Sequence, residues 1–369
     1  MKYDKDDRIV LTLDAGGTNF VFSAIQNNKE IVDPVTLPSN ADDLNKCLNN
    51  IIEGFSQVKA KLKKIPSAIS FAFPGPVEYT LGVIGDLANL PAFRGGIALG
   101  PMLEEKFKLP VFINNDGDLF AYGEAIAGFL PHVNNLLKEA GSPKRYNNLL
   151  GITLGTGFGA GIVRNSELYI GDNSCGGEIW LLRNKLIPKT NAEEGASIRA
   201  VQRAYSKVAG IPLDNSLSPK DIYEIGLGKK DGNKDAALEA YRQLGESVGD
   251  SLSQAITLLD GLIVLGGGIA AASDLFMPAL VDEMNGNYES PTGVKFPRLA
   301  LKTYNIEDKN QLNQFLQGNK TEITVPFSER KMLYDPQKRI GIGISKLGTS
   351  KAVAIGAFAY ALQKLDKMK

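Results

Sequence analysis

The sequence predicts an α/β protein built from two related halves, each with a ligand-binding turn after its leading strand. Three observations carry this. An apolar strand-like run, a Gly/Thr turn and a second apolar run occur twice, at 11–25 and again from 149 to 163. The apolar run Val111-Phe112-Ile113 empties into Asn114-Asn115-Asp116-Gly117-Asp118 ahead of an Ala-rich helical stretch. Polar residues at the C-terminal end of a strand mark the usual ligand position of an α/β sheet. Finally, 369 residues exceed what one core usually serves, so two domains are expected.

Composition narrows the class. Hydrophobic residues at 43% and charged residues at 22% are ordinary for a soluble globular protein. The 41 basic and 41 acidic side chains cancel, so no global field draws nucleic acid or an anionic membrane. No apolar stretch approaches the roughly 20 residues of a membrane span. The N-terminus is charged and leads straight into a strand-like run, so no secretory signal is expected and the reading is cytoplasmic. Cys47 and Cys175 lie far apart and form no metal motif, which suits free thiols. His132 is the one histidine, and no G-x-S-x-G elbow is present to complete a hydrolase triad with it.

In chain order, Ile9, Val10, Leu11 and Leu13 mark a strand that ends in Asp14-Ala15-Gly16-Gly17-Thr18-Asn19, and 20–25 return as a second strand. The glycines let backbone N–H groups approach an anion, Thr18 and Asn19 add donors, and Asp14 is placed to hold a metal through water. A plain hairpin needs the same Gly-Gly pair. The turn is neither a Walker loop nor a dinucleotide fingerprint, because a strand follows it. Apolar spacing from Leu44 to Leu62 predicts a helix over 42–63. Ala68 to Phe73 reads as a strand closed by Pro74-Gly75-Pro76. The irregular segment 85–96 follows, where Asn89 offers a donor and an acceptor to a polyol. A short helix is expected over 101–107, then the strand leading to Asp116. The helix after it, 119–128, should start near Gly117 or Asp118, so this polar turn is either a cap or a site.

The Pro-, Asn- and Lys-rich stretch 131–148 reads as a connection and domain boundary. Beyond it come a strand at 149–154, the turn Gly155-Thr156-Gly157 and a second strand including Ile162-Val163. Glu178 follows a Gly-Gly pair. Glu193 and Glu194 open a helix expected to run through Tyr205, whose positive end favours a carboxylate. A long helix is predicted over 236–259, then a buried strand at 262–265 ending in Gly266-Gly267-Gly268, where a phosphate or flat ring can lie against backbone, or a tight turn simply needs them. The polar segment 285–339 reads as a partly strand-forming insertion at a subunit contact, and 351–364 as a final helix.

The ordered set resembles the ROK family of sugar kinases and repressors, within the actin-like ATPase superfamily, over most of the chain. Residues 11–19 are similar to its first phosphate motif. Asn89-Leu90-Pro91 with Phe93-Arg94-Gly95 resembles its sugar-contacting segment. Asn115-Asp116 matches its catalytic "END" segment with Asn114 in place of Glu. Residues 154–159 resemble its second glycine turn, Gly176-Gly177-Glu178 its "AGE", and Glu193 to Ser197 its "E-x-x-x-S". Residues 264–268 resemble its adenosine turn and 348–357 its closing segment.

The resemblance implies a two-lobed actin-like ATPase (ribonuclease H-like) α/β fold with a ligand cleft between the lobes. One lobe would be 1–130, with helix 353–369 packing back on it; the other would be 131–352, including the insertion at about 285–339. It implies an ATP-dependent sugar kinase acting on a hexose hydroxyl, most simply the 6-hydroxyl of a glucose-like sugar, and a homodimer. Asp116 would be the general base, and Asn89, Asn115, Asp116, Glu178 and Glu193 would bind sugar. ATP would lie against Asp14, Gly16, Gly17, Thr18, Asn19, Gly155, Thr156, Gly157, Gly266, Gly267 and Gly268, with Mg²⁺ positioned by Asp14. Two departures matter. Trp180 and Leu181 stand where the family has Gly-His, and its zinc-binding cysteines are absent, so no structural zinc is expected and the hexose is in doubt. A sugar-sensing regulator is the first alternative, although the phosphate motif begins within 14 residues of the start, leaving no room for a DNA-binding domain. A non-catalytic sugar-binding protein is the second.

Overall fold

The computed structural model describes residues 3–368 except 74, 76, 88–89 and 214–216. The chain divides into two units. The first comprises residues 1–131, 161–177 and 346–369; the second comprises 132–160 and 178–345.

The first unit opens with β1 (Val10–Ala15), β2 (Asn19–Gln26), β3 (Lys29–Glu30), β4 (Val35–Pro38) and α1 (Leu44–Ala60). It continues through β5 (Ala68–Ala72), β6 (Val77–Glu78), β7 (Val83–Ile84), α2 (Leu99–Phe107), β8 (Val111–Asn114) and α3 (Asp116–Ile126). The second unit begins inside α4 (Phe129–Glu139) and holds β9 (Leu149–Leu154) and the start of β10 (Phe158–Arg164), whose residues from 161 on are grouped, with β11 (Glu167–Tyr169), in the first unit. Then come α5 (Ile198–Ala209), α6 (Pro219–Gly226), α7 (Lys234–Leu259), β12 (Leu262–Gly266) and α8 (Ser273–Met284). The remainder holds β13 (Asn287–Glu289), β14 (Lys295–Pro297), β15 (Lys302–Asn305), α9 (Lys309–Gln317), β16 (Thr321–Thr324), β17 (Lys331–Tyr334) and β18 (Arg339–Ile344). It ends with α10 (Thr349–Lys367), which belongs to the first unit.

In the first sheet the order is β3-β2-β1-β5-β8, with β4 also on β2. Alternation along β1 builds two cores. Ile9, Leu11 and Leu13 join Phe22, Ile51 and Phe55 on the α1 face. Val10 joins Ile25, Phe358 and Leu362 on the α10 face. Successive side chains of a strand point to opposite faces, so a two-sided β1 reads as a continuous apolar run. α10 lies against α3, and Glu124 of α3, fully buried, accepts from the Phe129 and Leu347 N–H groups at 2.6 and 3.1 Å.

The second sheet runs β11-β10-β9-β12-β18-β15. Two expectations are corrected here. Residues 131–148 are not all connection, because α4 covers 129–139 with Phe129, Val133 and Leu137 buried on one face. Pro131 is tolerated because it falls in the first turn, where its missing N–H has no intrahelical partner to lose. Segment 285–339 is not simply an added piece, since β15 pairs parallel with β18 and extends the sheet. Its polar composition hides two buried residues of β15, Thr303 and Tyr304.

The same segment carries a buried ion pair. Arg339 Nη1 lies 2.6 Å from Asp335 Oδ2, and its Nε donates to the Phe315 carbonyl at 2.7 Å. Burial pushes the Asp335 pKa up, but Arg339 and the Asn319 and Gln337 N–H groups outweigh it and hold the carboxyl below its ordinary value. Its stabilising contribution is therefore present above the unfolded aspartate pKa of about 3.9 and lost as pH falls through the depressed value. Asp335→Ala strands a buried guanidinium and is expected to cost about 3–5 kcal/mol in urea unfolding. A loss under ~1 kcal/mol would show that the pair is solvated in solution.

Candidate functional site

In the first unit, strand register brings Asp14 level with the end of β8, two residues before Asp116. Asp14 pairs with Ala72 of β5, and Ala72 pairs with Asn114 of β8. Asp14 and Asn114 are thus level on strands two apart, about 10 Å between backbones. Asp116 follows two residues later, past the end of β8.

The helix after it starts at Asp116 rather than at Gly117 or Asp118, because Asn115 is the cap. Its Oδ1 accepts from the Asp118 N–H at 2.6 Å. That occupies the carbonyl oxygen of Asn115 and leaves its amide NH₂ to face a ligand. Capping and site are therefore two uses of one turn. Asp116 sits in the first turn, exposed, with Oδ1 accepting from the Gly117 N–H at 2.9 Å. Asp14 is exposed as a residue, yet surrounding peptide groups desolvate its carboxyl and raise its pKa, and the charge of Asp116 raises it further. The Asp116 charge thus opposes the ionisation of Asp14.

The β1–β2 turn is closed by the Gly16 N–H on the Asn19 carbonyl at 3.1 Å, and held from outside by Ser39, whose Oγ donates to the Gly17 carbonyl at 2.6 Å. Gly17, Thr18 and Asn19 are exposed. A Cβ on Gly17 would meet nothing within 4 Å, and its φ is not positive. Among the described residues neither packing nor backbone conformation demands glycine there, and the turn's backbone is open to approach.

In the second unit, the turn Gly155-Thr156-Gly157 closes with the Gly155 N–H on the Gly157 carbonyl at 3.0 Å. The turn at 266–268 lies beside it, since Gly266 pairs with Thr153. Gly267 has φ +85°, and a Cβ there would stand 2.2 Å from the Leu154 carbonyl oxygen, so the fold itself requires glycine at that position. Gly155 and Gly268 have open space on their Cβ side.

Glu193 does not open the helix expected to run through Tyr205. A separate 3₁₀ turn, Ala192–Gly195, carries it, and α5 begins at Ile198. That turn brings the Glu193 carboxylate to the glycine turn, where Oε2 accepts from the Phe158 N–H at 3.1 Å. Arg199 Nη2 lies 2.7 Å from Glu193 Oε1 and 2.8 Å from Glu194 Oε1, while Arg203 Nη1 reaches Glu194 Oε2 at 2.9 Å. The Arg199 hydrogen bond leads in holding the Glu194 pKa below its usual value. Sequence reasoning missed Arg199 and Arg203. Their signal was charge patterning: two arginines four apart, just after two glutamates.

Glu178 is half-buried and accepts from the Trp180 indole N–H. Leu181, in the place of the family histidine, is 59% exposed. Asn89 lies outside the described residues. Beside it Leu90 and Phe93 are buried, and the Arg94 guanidinium donates to the Leu87 and Phe93 carbonyls at 2.7 Å. The described candidates thus form two sets: Asp14, 16–19, Asn115 and Asp116 in the first unit, and 155–157, Glu178, Glu193 and 266–268 in the second.

Two α/β units, each with a glycine-turned hairpin leading its sheet, define an actin-like ATPase fold. The ROK family model matches residues 10–300, and the chain belongs to that family. It is 54% identical to a glucokinase from Parabacteroides distasonis solved by crystallography, with TM-score 0.90 over 98% of this chain and 99% of that one. It is 27% identical to a glucokinase of Halalkalibacterium halodurans, covering 86% of this chain and 99% of the relative. A ROK family glucokinase from Streptomyces griseus, solved with glucose and AMPPNP, shares the fold at 17% identity and TM-score 0.57, over 96% of this chain and 99% of that one.

Proposed function

We infer that the chain is an ATP-dependent hexose kinase, transferring the γ-phosphoryl group of ATP to a sugar hydroxyl, with the 6-hydroxyl of a glucose-like sugar as the acceptor. The observation that carries this reading is the placing of Asp116, exposed in the first turn of α3 and electrostatically linked to Asp14 at the end of β1. Asp116 is the general base: its carboxylate takes the hydroxyl proton as that oxygen attacks the γ-phosphorus and the bond to the β-bridging oxygen breaks, releasing ADP. Asn89, Asn115, Glu178 and Glu193 bind the sugar hydroxyls. The turns at 16–19 and 155–157 hold phosphates through backbone N–H groups, and 266–268 takes the adenosine end.

Mg²⁺ suits the residues present. Asp14 and Asp116 are two carboxylates whose charges oppose each other, and a divalent cation near Asp14 offsets that repulsion. Asp14 would hold the ion through water; among the described residues no group of three or more His, Cys, Asp or Glu side chains is placed to hold a metal. Bound there, Mg²⁺ supplies neutralising charge to the phosphate oxygens. Asp14 orients it, and the glycine turns position the phosphates.

In this reading the protein works in the cytoplasm as a homodimer. Support for a subunit contact comes from the hairpins β13–β14 and β16–β17, which expose Tyr288, Phe296, Met332, Leu333 and Tyr334. No helix of the described residues is long and apolar enough to cross a membrane.

The test is ADP release from Mg-ATP with glucose, mannose, fructose, N-acetylglucosamine, N-acetylmannosamine and allose. Glucose-dependent turnover is expected. Saturable sugar binding with no turnover on any of the six would sink the kinase and favour a sensor.

A further inference from the structure

The second unit contains a cavity of about 220 Å³ that none of the roles above uses, between α5, α7 and the loop at 184–187. Its inner end is polar and unsatisfied. Asn184 is 1% exposed, and its Oδ1 already accepts from the Leu186 and Ile187 N–H groups at 2.9 and 3.0 Å. Its NH₂ group must therefore point away from the loop, and Nδ2 has no partner among the described residues. Ser247 of α7 is 3% exposed, and its Oγ also has no partner among the described residues. Both atoms converge on the space beside Gly195, where a Cβ would stand 2.6 Å from the Ser247 Oγ and 2.9 Å from the Asn184 Nδ2. Buried donors left unpaired cost roughly 1–3 kcal/mol each, so an acceptor placed between them is strongly favoured.

The rest of the cavity sets the ligand's shape. Its wall is apolar, from Ala204 and Leu244 among others. Its charged lining is Arg203, the exposed Lys207 and the Glu194 carboxylate paired to Arg203, so two cations face one anion. A water needs only ~10–15 Å³ of such space, so the volume suits a small organic molecule. The molecule must offer a hydroxyl or carbonyl oxygen at one end, a compact carbon body, and an anion at the other.

We propose that this cavity is a regulatory site for a small phosphorylated metabolite. Its phosphate meets Arg203 and Lys207, and its far oxygen accepts from Asn184 Nδ2 and Ser247 Oγ. The site is wired to the second glycine turn. Arg203 holds Glu194, Glu194 shares Arg199 with Glu193, and Glu193 holds the Phe158 N–H, with contacts of 2.9, 2.8, 2.7 and 3.1 Å in turn. A phosphate competing for Arg203 loosens Glu194 and alters the carboxylate that braces the turn. The consequence for ATP rests on the kinase reading; the binding does not.

The full chain is titrated by calorimetry, without nucleotide or sugar, against inorganic phosphate, glycerol 3-phosphate, phosphoenolpyruvate and glucose 6-phosphate. At least one organic phosphate is expected to bind more tightly than inorganic phosphate. Lys207→Glu, at an exposed position, should weaken it by about tenfold or more, and Ala204→Phe should abolish it by filling the cavity. Both variants should keep basal turnover. The bound metabolite should change the KM for ATP at least threefold in wild type (on the order of 0.6 kcal/mol) and not in Lys207→Glu. No binding up to about 10 mM, or binding unchanged by Lys207→Glu with its circular dichroism intact, overturns the site. Binding that leaves the KM for ATP unchanged overturns the coupling. If turnover is absent altogether, the titration still decides the site while the kinase reading fails on its own.

Discussion

Asp116→Asn is expected to lower kcat by about 10³-fold while leaving the fold intact. The substitution keeps size and polarity, and the Asn side-chain oxygen can still accept from the Gly117 N–H. What disappears is the acceptor for the sugar proton. Stability should hold for two opposing reasons. A negative charge is lost from the first turn of α3, a cost of about 0.3–1 kcal/mol at most. The repulsion that raises the Asp14 pKa is relieved at the same time. Because Asp14 holds its proton to higher pH than an unfolded aspartate, its ionisation weakens the fold as pH rises through the raised pKa, and removing Asp116 reduces that penalty. Thermal melting within ~2 °C of wild type and a KM for sugar within about threefold would show a loss confined to the transition state. A kcat reduced less than tenfold would remove Asp116 from the role of base.

Gly356→Ala is expected to be the most damaging single-methyl change in the first unit. A Cβ on Gly356 would stand 1.8 Å from the Leu119 carbonyl oxygen of α3, and one on Gly123 would stand 1.9 Å from the Ala352 carbonyl oxygen of α10. The two helices cross backbone to backbone, with glycine on each side. Alanine improves helix propensity by only about 1 kcal/mol. Against that, neither neighbouring atom belongs to a flexible side chain, so the helices themselves must separate. Overpacking of this kind costs about 3 kcal/mol or more, and a fall in melting temperature of roughly 5–10 °C follows for a unit of this size. The contrast is Gly17→Ala, which meets nothing within 4 Å. It should melt like wild type and instead raise the KM for ATP, since the added methyl occupies space a phosphate would approach. Equal stability losses at Gly356 and Gly17 would contradict both assignments.

These two glycines also show how far local sequence reaches. Strand–turn–strand signals at 11–25 and from 149 to 163, the strand before Asn114, and the long helix ending at Leu259 are properties of neighbouring residues, and each appears where periodicity placed it. Asp14, Asn115 and Asp116 were legible because a turn at a strand end constrains residue type within a few positions. Failures came where neighbours mislead. Residues 129–139 are helical because four apolar side chains, Phe129, Leu130, Val133 and Leu137, find a core, although Pro, Asn and His interrupt the pattern. Segment 285–339 looked peripheral because only Thr303 and Tyr304 of β15 reveal a sheet edge.

The sequence alone determined the α/β class, the two glycine turns and the family, and it named the candidate site residues, since these depend on chain-local pattern and spacing. Tertiary structure decided which strand ends come level. Asp14 and Asn114, 100 positions apart, become level only through two parallel pairings. Glu193 reaches the Phe158 N–H only because a 3₁₀ turn folds back on β10. Gly356 and Gly123 likewise acquire their meaning only from a contact between helices remote in sequence. Pairing partners, close approaches and the unsatisfied donors of Asn184 and Ser247 are relations between distant segments, and no local propensity encodes them.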